Sequence, residues 1–238
     1  MRTPAFTAAL VVASTLLLLA GFAAGSEGWS FAWHDEWTLV RDIRAPRTLG
    51  AWCAGALLGL AGAIAQGLFR NPLADPYLLG SAAGAGLGVV LVLAASSALG
   101  ATIGLASVDA LQRLGLVGAA FCGALIGVGL TLLLARGAGR PLTLLLCGVV
   151  VGVLLTAVSD LLLLLSPEAM RGRQAFLLGT TGFLGWTSVI VLCAVLAIAA
   201  LVALRFARAL DALVLGETSA ASLGVPLRAV RLVLVCTM

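Results

Sequence analysis

The chain has 238 residues, of which 62% are hydrophobic and only 10% charged, where a soluble domain carries about 25% charged residues. That composition excludes a water-soluble globule. The net charge of +4 rests on 14 basic residues, all of them arginine. With no lysine, the chain cannot itself be an ATPase built on a phosphate-binding P-loop. In a membrane, such a charge fits arginines facing anionic lipid or a partner chain, not nucleic acid.

A helix needs about 20 mostly apolar residues to cross a bilayer. Residues 5–25 form a first uncharged run. Arg2 before it and GFAAGS at its end imitate a secretory signal peptide, but its length and the spans that follow favour a membrane span. Trp29, Trp33 and Trp37 are spaced by four, which predicts one face of a short interfacial helix. His34, in WHDEW, is the single histidine. It lies beside two carboxylates, where metal contact is conceivable, but an exposed loop residue is the preferred reading.

Residues 48–69 predict a second span, with Gln66 its one strong polar group, suited to helix–helix contact or to a pathway lining. Asn71 and Asp75 each precede a proline in NPLADP, so both read as turn residues. A third span is expected near 78–99 and a fourth at 114–135, between Arg113 and Arg136. Residues 142–165 predict a fifth, interrupted only by Asp160. That carboxylate either reaches the interface near the end of the span or faces a cavity or partner. A loop from Gln174 then leads to a sixth span near 188–204. After Arg231 only LVLVCTM remains, too short to cross, so a seventh helix cut short is expected and the chain reads as a fragment of a longer protein.

Three glycine pairs, Gly55/Gly59, Gly123/Gly127 and Gly148/Gly152, are spaced for close helix contact. The fold class expected is all-α, a polytopic helical bundle forming one domain over 1–238. The five cysteines, Cys53, Cys122, Cys147, Cys193 and Cys236, lie in apolar segments without ligand-like spacing and read as packing residues. No HExxH or GxSxG occurs, so no enzyme, metal site or cofactor is expected in this chain. With a cytoplasmic N-terminus, eight arginines (2, 70, 136, 140, 205, 208, 228 and 231) fall inside and six (41, 44, 47, 113, 171 and 173) outside, a small bias in the positive-inside sense.

The stretch RAPRTLGAWCAGALLGLAGAIAQGLFRNPLADPYLLGSAAGAGLG, residues 44–88, closely resembles the signature region of FecCD-type permeases. A second match, LGETSAASLGVPLRAVRL at 215–232, looks like the cytoplasmic coupling loop of that family. LLLCGVVVG (144–152) and AFLLGTTGFLGW (175–186) match more loosely, in the expected order. These permeases are membrane subunits of bacterial ABC importers for iron-siderophores, haem and cobalamin, with about ten spans. The resemblance implies an inner-membrane permease working by ATP-driven alternating access. It further implies a second permease chain, a dimer of separate cytoplasmic ATPases that bind the ATP and magnesium, and a periplasmic or lipid-anchored binding protein. An iron-siderophore is the expected cargo by its frequency in the family. An ion-gradient-driven secondary transporter is the alternative of another class, for which Asp160 is the sole candidate midplane charge.

On the residues themselves, 205–231 is a polar-containing inner stretch in which Gly216 can end one helix and Glu217 begin another, with Gly224 stopping it. A surface helix in the lipid interface fits that composition as well as a docking helix does. The resemblance assigns Leu215, Gly216, Glu217, Ala220, Leu223 and Gly224 to ATPase coupling, with Glu217, Ala220 and Leu223 on one face. Arg44 and Arg47, at the outer start of the second span, read alone as headgroup contacts. The resemblance implies docking to glutamates of the binding protein, for which guanidinium geometry is suited.

Overall fold

The structure, a computed structural model, describes residues 3–25, 28–29, 37–98, 110–137, 140–182, 184–222, 224 and 226–238. Arg2, Trp33, His34 and Leu223 therefore lie outside the described residues. Helix α1 (Thr3–Ala23) is followed by two-residue strands β1 (Ala24–Gly25) and β2 (Gly28–Trp29), paired antiparallel. Then come α2 (Trp37–Leu39), a π-turn at Val40–Arg44, α3 (Ala45–Phe69), a 3-10 turn at Pro76–Leu79, α4 (Ser81–Ala98) and α5 (Ala110–Leu134). The chain continues through α6 (Pro141–Leu165), α7 (Pro167–Leu178), α8 (Trp186–Val214), α9 (Glu217–Ser222) and α10 (Leu227–Thr237).

Among the described residues five helical stretches are long and apolar enough to cross a membrane, and Ser81–Ser97 is a shorter apolar helix. The expected third span is thus shorter than 78–99, because the 3-10 turn takes its first residues. The second begins earlier, with Trp37–Phe69 reading as one 33-residue stretch. Pro46 explains the π-turn inside it. A proline has no N–H to give the carbonyl four residues back and its ring crowds that carbonyl. The widened turn relieves this, and the Ala45 N–H reaches the carbonyl of Val40, five residues back.

Three further expectations are corrected. Arg205 to Val214 is not loop: α8 carries straight through it, which shortens the expected 205–231 loop to the residues around α9. The loop expected from Gln174 starts later, at Gly179, because α7, opened by Ser166-Pro167 with proline in the first turn, runs to Leu178. The charges of α7 hid an apolar side, on which Ala169 joins a buried cluster with Val89, Val90 and Leu93 of α4 and Phe176 packs against that cluster. Trp29 lies in β2 and Trp37 opens α2, so the two do not share a helix.

The contacts divide the chain into two units, Met1–Leu60 with Thr180–Val202, and Ala61–Gly179 with Ala203–Met238. In the first, the Trp52 indole N–H donates to Ser14 Oγ of α1 at 2.8 Å. The Trp186 indole donates to the carbonyl of Arg41 at 3.0 Å, and Cys53 and Cys193 bring their sulfurs within 3.3 Å. In the second, α4 packs so closely on α5 that a Cβ on Gly84 would collide with the carbonyl of Gly123, and one on Gly88 with that of Ala119. Lipid gives helices no hydrophobic drive to associate, so backbone approach at small residues supplies the packing. Gly123 and Gly127 make such contacts, whereas Gly55 and Gly59 meet nothing within 4 Å.

Candidate functional site

The segment between α3 and α4 is built by its turn residues. Asn71 accepts the Leu73 N–H at 2.9 Å through its side chain, and Asp75 accepts that of Tyr77 at 2.7 Å, capping the 3-10 turn. Gly80 then takes φ +79, a backbone state that costs glycine nothing. The turn is held from two sides: Thr131, fully buried on α5, donates to the carbonyl of Leu79 at 2.9 Å, and Gly148 of α6 lies against the carbonyl of Leu78. The proline-broken connection is therefore a packed element.

Beside it opens a groove of about 760 Å³, lined among others by Asp75, Tyr77, Thr156, Ser159, Asp160 and Arg173. Asp160 is not a lone carboxylate. Arg173 of α7 donates to it at 2.8 Å, across the helix break at Ser166-Pro167. Gln66 is exposed and its side chain makes no hydrogen bond among the described residues.

The outer arginines part company. Arg44 is buried, and its guanidinium donates to the carbonyl of Phe22 at the end of α1, at 3.5 Å. It also lies where a Cβ on Gly25 would fall, 2.8 Å away. Arg47 is exposed, although one of its nitrogens donates to the carbonyl of Gly182 at 2.8 Å. Arg44 is tied into the fold; Arg47 offers its remaining donors outward.

At the far end of α8, Gly216 has φ +119 and Gly224 φ +76, bracketing α9. Leu215 is 73% exposed, and Thr218, Ala221, Ser222 and Gly224 are also exposed. Ala220 is fully buried, and the carboxylate of Glu217 accepts from Arg231 at 2.8 Å and Arg70 at 3.4 Å. The two residues expected to share an outward face are turned toward the chain itself.

Compared with known proteins, residues 6–238 match the profile of the FecCD transport family. The chain belongs to that family. Its curated relatives include a cobalamin import system permease protein BtuC from Halobacterium salinarum, 37% identical over 189 residues, covering 79% of this chain and 48% of that protein. A vitamin B12 import system permease protein BtuC from Salmonella paratyphi A is 33% identical over 230 residues, covering 92% of this chain and 65% of the other. The chain thus spans about half to two thirds of the length of these relatives. A metal-chelate type ABC transporter solved in an inward-facing conformation has the same fold, with TM-score 0.82 at 23% identity, over 98% of this chain and 72% of that one.

This FecCD chain is accordingly a multi-pass membrane protein of a transport-permease family. Sequence reasoning missed Arg173, Arg70 and Arg231 as partners of its acidic residues. It also missed the glycine row Gly80, Gly84 and Gly88, although its spacing by four was in plain view. The arginine partners had no such signal, being set by which helix ends meet.

Proposed function

We propose that this chain is the membrane-spanning part of an ABC importer for a metal chelate, driven by separate ATPase subunits that bind ATP and magnesium. The observation that carries this reading is α9, a short helix between two glycine swivels whose exposed flank presents Thr218, Ala221 and Ser222, with the exposed Leu215 just before the first glycine, in a chain of the FecCD family. That flank is a surface for a cytoplasmic partner, with Gly216 and Gly224 setting its angle. Arg47 is the outer docking residue for a substrate-binding protein, and Arg44 supports it from within the fold. The groove holding Asp160 and Arg173 lines the passage, completed by a second permease chain in the bacterial inner membrane. Alternating access follows if movement of α9 shifts the helices that border the groove.

The names of the cobalamin and vitamin B12 permeases that this chain resembles make cobalamin the first cargo to test, ahead of the ferric siderophore suggested by family frequency. The decisive variant is Leu215→Asp in the full-length protein, which sets a carboxylate where an apolar contact is needed. An unpaired buried charge is costly, so the variant is expected to insert normally yet lose the ATPase on co-purification and to abolish uptake of labelled cobalamin or siderophore. Retained ATPase with uptake at the parent rate would refute the docking assignment.

A further inference from the structure

The cluster of Glu217, Arg231 and Arg70 is larger than a surface ion pair. Arg231 is 3% exposed, whereas Glu217 and Arg70 are each 40% exposed. The Glu217 carboxylate therefore joins a buried cation on α10 to a half-exposed one at the end of α3. Helix α9 has six residues, and isolated helices shorter than about 12–15 residues are marginal in water. With glycine swivels on both sides, its orientation must come from contacts with the rest of the chain. Among the described residues those contacts include the buried Ala220 and the two ion pairs of Glu217.

Arg70 gives the cluster its direction. It has φ +52, at the point where α3 gives way to the capped turn, and that turn supplies Asp75 and Tyr77 to the groove. The path from α9 to the groove is one ion pair and a short stretch of backbone held by the side chains of Asn71 and Asp75. The geometry points to Glu217 as a positioning residue: it clamps α9 to α10 and to the head of the groove-lining turn, so that displacement of α9 is delivered to the groove. This rests on the importer reading above. Glu217 is then a transmission residue, and the contact with the ATPase is made by the other flank of α9.

The test uses the full-length protein reconstituted in sealed lipid vesicles, with and without its ATPase, as Glu217→Gln, Arg231→Met and the double variant. Glutamine keeps the shape of the side chain and removes its charge. Amide hydrogen exchange across 217–222 should quicken about tenfold in each single variant. In the double variant it should be no faster than in Glu217→Gln alone, because that variant has already lost both ion pairs of the carboxylate. In the complex, Glu217→Gln should hold the ATPase with affinity within about twofold of the parent, while uptake per ATP hydrolysed falls at least fivefold. A merely structural residue would lose assembly and uptake together. Additive effects on exchange, unchanged exchange in Glu217→Gln, or release of the ATPase by that variant would each overturn the clamp. If exchange behaves as expected but the parent protein holds no ATPase, the clamp stands and the importer reading falls.

Discussion

At the scale of single residues, Arg44 and Arg47 show how far one side chain's role depends on its surroundings. Both carry the same charge at the same end of the same span, yet one is buried against α1 and the other faces out. A cation beside the carbonyls that end a helix is favourable, and Arg44 supplies that to α1. Arg44→Ala should leave the Phe22 carbonyl poorly satisfied and cost about 1–3 kcal/mol, read as a lower unfolding midpoint of the detergent-solubilised protein. Arg47→Glu should change stability by no more than about 1 kcal/mol, since exposed polar contacts contribute little. Its effect should appear instead as weaker association with the binding protein, most marked at low salt. The opposite pattern, with Arg44→Ala harmless to the fold and Arg47→Glu unfolding it, would reverse their roles. The sequence could place both arginines at the outer end of a span. It could not rank them, because burial is decided by Phe22 and Gly182, 22 and 135 residues away along the chain.

At the scale of elements, hydropathy made the long helices legible, since each must satisfy its backbone internally and turn apolar side chains outward. What it could not show was which glycines meet a neighbour. Gly55 and Gly59 have the same spacing as Gly123 and Gly127, but only the second pair lies against another backbone. Contact depends on the partner helix, and the partner here is the row through Gly80, Gly84 and Gly88. Helix α7 escaped notice for the opposite reason: its charges mark it as too polar to span, and its buried side emerges only when α4 lies beneath it. Substitutions separate the two kinds of glycine. Gly84→Val would drive Cβ into the backbone of α5, which cannot yield as a side chain can, so a loss above the usual 1–3 kcal/mol of overpacking is expected. Gly55→Val enters open space and should be neutral within about 1 kcal/mol. Equal effects in a thermal-unfolding assay of the two variants would refute the α4–α5 packing.

At the scale of the whole molecule, the contacts fix which connections share a side of the membrane, while which side that is rests on eight arginines against six. Arg70 and Glu217 touch, so an even number of membrane crossings must separate them. Helices α5, α6 and α8 lie between them and each is long enough to span, while α7, with 12 residues, is too short. Helix α4 must therefore cross as well, although its 18 residues reach only about 27 Å, slightly less than the hydrocarbon core of about 30 Å. Independently, Arg47 touches Gly182, and the crossings between them are α3, α4, α5 and α6, again four only if α4 spans. The modest shortfall is met by local thinning of the bilayer or by flanking residues at its edge. Three reporter fusions to the full-length protein test this, placed at Leu73, near Arg113 and after Arg140. Under the positive-inside rule they should report cytoplasm, periplasm and cytoplasm in turn. A fully inverted pattern would keep the bundle but exchange the docking faces, placing α9 opposite to any ATPase and sinking the importer reading. Leu73 and Arg113 on the same side would mean that α4 does not cross, and the parity imposed by both contacts would then be broken.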